Sequence, residues 1–127
     1  MDSDTDIKTW RIPRDGDRDL RFRGVLLGEG EHGTGGTSGY KCDWTRGVSV
    51  RIYRTDGGKY VHRVKWWSLW QGEGEKWEVR VYASPRALLD GMMQSDDGEL
   101  RPADKEAWEA ACNKDEALSA LECEEIE

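Results

Sequence analysis

GVSVRIYRTDGGKYVHRVKWWSLWQGEGEKWEVRVYA, Gly47 to Ala83, holds three segments of strand-like alternation and the turn that joins the first two. Val48 to Thr55 and Lys59 to Trp67 flank Thr55-Asp56-Gly57-Gly58. There Asp accepts a local backbone hydrogen bond, and Gly takes a positive φ without a Cβ clash. The segment is a β-hairpin, and its loop length follows from the faces, because a slip of one residue moves every side chain to the other side of a sheet. A three-residue loop, Asp56 to Gly58, sets Ile52 against His62, Val50 against Val64 and Val48 against Trp66. Two-residue loops set Val50 against Arg63 or Lys65. The pattern therefore predicts the three-residue loop with a glycine bulge.

Lys76 to Ala83 alternates Trp77, Val79 and Val81 with Glu78, Arg80 and Tyr82 and predicts a third strand. Joined to the hairpin, it gives a sheet with two unlike sides. Val48, Val50, Ile52, Val64, Trp66, Trp77, Val79 and Val81 are assigned to the core. Arg51, Tyr53, Val61, Arg63, Lys65, Arg80 and Tyr82 form a basic, aromatic second face. Trp67, next to Trp66 and so pointing to the opposite side of a regular strand, either packs under another element or is exposed for a partner.

The chain's 127 residues suit one domain with tails. A mean hydropathy of −0.86 leaves seven Trp and four Tyr to supply much of the core. Three cysteines, Cys42, Cys112 and Cys123, lack a Cys-x-x-Cys spacing, which argues against a disulfide framework or a zinc site and for a reducing cytoplasm. No apolar run approaches a membrane span, and Met1 to Asp6 lacks the features of a signal peptide, so a soluble intracellular protein is expected. The net charge of −7 is unevenly divided: −1 over residues 1–18, +3 over 19–83 and −9 over 84–127.

Residues 1–18 predict a mobile start that docks at Trp10. Leu20 to Leu27 predicts a strand bordering the hairpin, and Gly28 to Gly39, with six glycines, a flexible loop. Within it Glu29, Glu31 and His32, with Cys42 beyond, mix hard and soft ligands without a repeated spacing, so no metal is assigned. Ser84-Pro85 starts a helix bearing Leu88, Leu89, Met92 and Met93 on one side. Pro102 opens a second helical region striped by Trp108, Ala111 and Cys112, with Leu118 and Leu121 after a break near Asn113 to Asp115. The expectation is a mobile segment 1–18, a single α+β domain 19–121 and an acidic tail 122–127. The domain is an antiparallel sheet of about four strands with two or three C-terminal helices packed on one face.

Arg21-Phe22-Arg23-Gly24 with Leu26-Leu27, then Val50-x-Ile52-Tyr53-Arg54-Thr55-x-Gly57-Gly58-Lys59-Tyr60-Val61, a Trp-rich segment and a short helix after a strand resemble the bacterial EXLDI proteins. That family is named for a C-terminal Glu-x-Leu-Asp-Ile. Glu122-Cys123-Glu124-Glu125-Ile126 keeps its Glu and Ile, has Glu for Asp and departs at Leu. The resemblance implies a bacterial or phage origin and no catalytic residue.

Three functions are compatible with the residues. The first is a non-enzymatic, acidic interaction or regulatory protein with a protein partner, for instance a phage- or mobile-element-encoded, DNA-mimic-like inhibitor of a nucleic-acid-handling complex. Its surface is Asp96, Asp97, Glu99, Asp104, Glu106, Glu109, Asp115 and Glu116. The alternative is nucleic-acid binding by Arg51, Tyr53, Arg63, Lys65, Trp67, Arg80 and Tyr82. The third is a small enzyme, for which His62, His32 and an Asp43–Glu78 pair are the candidates; His62, opposite Ile52, reads as structural. No catalytic residue, cofactor or metal is assigned.

Overall fold

The computed structural model describes residues 7–16, 18–34, 45–69, 72, 74–94 and 100–122. Five antiparallel strands, β1 (Lys8–Ile12), β2 (Leu20–Thr34), β3 (Arg46–Thr55), β4 (Tyr60–Ser68) and β5 (Lys76–Tyr82), lie in chain order across one sheet. Three helices follow: α1 (Pro85–Gln94), α2 (Pro102–Lys114) and α3 (Glu116–Glu122). The fold is α+β, with no described helix long and apolar enough to cross a membrane.

The β3–β4 hairpin has the register its faces demand: Val48 opposite Trp66, Val50 opposite Val64, Ile52 opposite His62. Gly58 takes φ +84° and donates its N–H to Thr55 O at 2.9 Å, while Thr55 donates to Lys59 O at 2.8 Å. That is the three-residue loop with its glycine in the left-handed region.

Segment 1–18 does more than dock. Residues 8–12 form an edge strand paired with the start of β2, and Trp10 anchors it by donating its indole N–H to Gly24 O at 3.1 Å. β2 also runs further than the Leu20–Leu27 pattern suggests, because the glycine-rich stretch up to Thr34 is strand rather than loop. A bulge between Leu26 and Gly28 lets both Leu27 and Gly28 face the helices and sharpens the twist of the sheet. The curl brings the turn after β1 to the far edge, where Trp77 donates its N–H to an Asp15 carboxylate oxygen at 2.8 Å and its carbonyl accepts from the Asp15 N–H at 3.4 Å.

The curl gives the sheet two apolar faces. On the outer one Val25, Leu27, Val50, Ile52, Tyr60 and Val64 pack under Leu88, Met92, Ala107, Trp108 and Leu118 of the helices. On the inner one Ile12, Tyr53 and Val61 form a second cluster with Trp10, Leu20, Phe22, Trp77 and Val79. This corrects the assignment of the third strand. Trp77, Val79 and Val81 stand opposite Lys65, Arg63 and Val61 on the inner face, whereas Glu78, Arg80 and Tyr82 share the outer face with Val64, His62 and Tyr60. Alternation reveals that β5 has an apolar side but not which way it turns. That is decided by the register of β5 on β4 and by an inner core that the curl closes around the apolar side.

The helices follow their signals. Ser84 caps α1 by accepting from the Ala87 N–H at 3.1 Å, and Leu88 and Met92 are fully buried. Helix α2 stops at Asp115, whose carboxylate accepts from the N–H groups of Ala117 and Leu118 at 2.8 and 3.3 Å and so starts α3. Cys112 is a buried free thiol, and Cys42 and Cys123 lie outside the described residues.

Candidate recognition site at the end of the sheet

Two of the eight acidic residues assigned to a partner surface are interior. Asp104, fully buried in the first turn of α2, accepts from His62 Nε2 at 2.8 Å and from Arg101 Nε at 2.6 Å. Burial alone would raise its pKa, but the hydrogen bonds and charges of His62 and Arg101 outweigh this and hold the carboxyl below its ordinary value. An ionised carboxylate only accepts, so Nε2 is the protonated ring nitrogen of His62. Asp115 accepts from Arg54 Nη1 and the Tyr60 hydroxyl, each at 3.0 Å. Burial, followed by that bond and the aspartate charge, pushes the Tyr60 phenol up to about 12. Both aspartates staple α2 and the start of α3 to the sheet. Glu106, Glu109 and Glu116 are exposed, interspersed with exposed Lys105 and Lys114, and Asp96, Asp97 and Glu99 lie outside the described residues.

The basic aromatic face is also divided. Arg51, Tyr53, Arg63, Lys65 and Trp67 share the inner side, and Arg80 and Tyr82 are on the outer one. Tyr53 is buried, edge-on to Trp10 and Phe22. Arg51 is ion-paired with Glu29, Lys65 with Glu75 at 2.7 Å, and Arg80 with Glu78 at 2.8 Å. Arg63 differs from these. It is 6% exposed, its Nη2 donates to the Ser49 hydroxyl at 2.7 Å and more weakly to Ser49 O, and its Nε has no acceptor. Burial lowers its pKa, with Arg51 adding to the effect and Tyr53 and Glu29 opposing it. A desolvated guanidinium with no carboxylate at ion-pair distance costs stability. Replacing it with the apolar Met is therefore expected to leave the urea-unfolding free energy unchanged or raise it by about 1 kcal/mol or more. A fall would identify the Ser49 contacts as structural.

At the ends of β2, β3, β4 and β5 furthest from the Asp56–Gly58 turn, a cleft of about 980 Å³ opens. Val48, Trp66 and Trp67 supply its apolar walls, and Arg46, Lys76 and Glu78 contribute charge. It is a wide, open groove rather than an enclosed pocket, a shape suited to an extended segment more than to a small molecule. Trp66 packs against the outer core and carries the Arg101 guanidinium 5.7 Å from its ring centre, so the Asp104 network positions one wall. Trp67 is half-buried and lies flat over Gly47, where an added Cβ would stand 2.5 Å from the indole Cζ2. Its Nε1–H is buried without an acceptor. Lys76 is exposed and makes no ion pair with another described residue.

His32, Ser68 and Glu78 also line the cleft, on the outer face of the sheet. His62 is sealed beneath α2, and Glu29 and Glu31 face away from His32 by strand alternation. Among the described residues no three His, Cys, Asp or Glu side chains converge on a metal-sized site. Asp43, the other member of the acid/base pair considered with Glu78, lies outside them. The sequence reading missed Trp66 and Lys76 as site residues. The Trp66-Trp67 pair was the available signal, but Trp66 was assigned wholly to the core. No protein-family model, curated protein or solved structure matches the chain.

Proposed function

We propose that the protein is a non-enzymatic interaction protein that holds a segment of a protein partner in the cleft that Trp66 and Trp67 line at the end of the sheet. The observation that carries this reading is the cleft itself, an open groove lined by Val48, Trp66 and Trp67 with the exposed Lys76 beside them. An extended polypeptide supplies apolar side chains for the indole rings, and Lys76 favours an acidic residue in that segment. The DNA-mimic version is weaker, because of its described acidic residues only Glu106, Glu109 and Glu116 face outward and two lysines sit among them. Nucleic-acid binding by the inner face is also less favoured, since Arg51 and Lys65 already have carboxylate partners and the chain's charge of −7 repels polyanions.

An affinity pull-down from bacterial lysate at low and high salt, with nuclease treatment in parallel, tests this reading. Wild type is compared with Lys76→Glu and Trp67→Phe, both of which should keep the wild-type melting temperature to within a few degrees. A discrete protein that survives nuclease and is lost with both variants is the expected result. Recovery by all three chains excludes the cleft as the contact. Nucleic acid alone, released by high salt, replaces this reading with phosphate binding.

A further inference from the structure

Strand β5 is an edge of the sheet, and its free side follows from the ladder. Trp77 turns its N–H and C=O outward to Asp15, so by antiparallel alternation Val79 and Val81 also direct theirs away from β4. Val81 is 47% exposed, one of two large apolar side chains so displayed among the described residues. Such an edge is a template for another strand unless it is blocked. Asp15 blocks it at Trp77, the end nearest the cleft.

We propose that this edge pairs with the same edge of a second copy, antiparallel about a two-fold axis through Val79, and that Asp15 is the intramolecular competitor. The charge pattern selects this occupant and this register. With Val79 opposite itself, Glu78 faces the second copy's Arg80 and Arg80 its Glu78, on the same side of the extended sheet. Trp77 faces the second copy's Val81 on the other side and covers its exposed surface. A shift of two residues toward the C-terminus in the summed register puts Arg80 against Arg80, which opposes pairing. Glu78 and Arg80 already meet at 2.8 Å within one chain, so the dimer joins two such pairs into four alternating charges. The central Val79 pair forms with Asp15 in place. The two flanking Trp77–Val81 pairs form only when Asp15 gives up Trp77.

Sedimentation equilibrium over a concentration series tests the proposal on the full chain. Asp15→Ala is expected to tighten dimerisation at least about tenfold over wild type, because the partner strand no longer displaces a hydrogen-bonded carboxylate. In that background Arg80→Glu should abolish the dimer, and the double swap Glu78→Arg/Arg80→Glu should restore it. If Asp15→Ala loosens the fold, the same charge series in the wild-type background at high concentration reads the same interface. Monomers throughout, or dimers indifferent to charge reversal and to the swap, overturn the proposal.

Discussion

Asp104→Ala is expected to lower the unfolding free energy by about 3–5 kcal/mol, the cost of breaking a buried, hydrogen-bonded ionic network from one side. The substitution leaves His62, 4% exposed, without its acceptor and removes the carboxylate that Arg101 bonds while lying over Trp66. It also removes a carboxylate from the first turn of α2, where the helix dipole favours one. The loss is large against the roughly 5–15 kcal/mol typical of a domain, and a urea titration followed by tryptophan fluorescence measures it. The pH dependence has a definite sign. The folded-state pKa of Asp104 lies below its unfolded value, near about 3.9, so its stabilisation is present above that value and lost as pH falls through the folded one. Wild type should therefore lose stability steeply on acidification. Asp104→Asn, already destabilised at neutral pH, should show a shallower slope over the same range. Parallel slopes would mean that the carboxylate does not carry the charge assigned to it.

Gly28→Ala and Gly30→Ala should each cost about 3 kcal/mol, at the upper end of what overpacking a core costs. Helix α2 crosses β2 at these two residues. A Cβ on Gly28 would stand 2.6 Å from the Ala111 amide nitrogen and nearer still to Ala107 O, and one on Gly30 would stand 2.8 Å from the Ala107 nitrogen and collide with Ala103 O. The obstructing atoms are helix backbone, which cannot rotate aside as a side chain can, so relief requires α2 to move off the sheet. Its Ala103, Ala107 and Ala111 face is fully buried, and that displacement would open the outer core along its length. Gly57→Ala in the hairpin turn is the control, since its Cβ meets nothing closer than the Thr55 hydroxyl at 3.8 Å. Thermal unfolding with near-ultraviolet circular dichroism, sensitive to the packing of Trp108, separates the two kinds of site. A wild-type melt for Gly28→Ala would show that α2 does not sit as close as described.

Local chemistry made several elements legible. The Asp-Gly-Gly turn and the two-residue period together specify the β3–β4 register, because only one loop length keeps Val50 and Val64 on a common face. Ser84-Pro85 marked the start of α1, and the interruption before Asp115 marked the α2–α3 break, since capping depends on residues within a few positions of each other. Glycine carries no such local label. The composition that suggests a flexible loop at residues 28–39 also suits, as far as Thr34, a strand over which a helix passes at backbone contact, and only the approach of α2 distinguishes them.

The same limit governed the candidate site. Asp104 and Asp115 look like members of a solvated acidic helix face because their partners are 42, 55 and 61 residues away in the chain, at His62, Tyr60 and Arg54. The side to which β5 turns Trp77 and Val79 depends on its pairing with β4 and on the inner cluster it joins. The sequence by itself determined the β3–β4 hairpin and its register, the existence of β5, the helices and the uneven charge, which arise from neighbours a few bonds apart. The tertiary structure decided which charges are buried, which face of β5 is apolar core and where Trp66 and Trp67 border an open cleft. Those outcomes depend on long-range contacts, whose partners alternation and composition do not name.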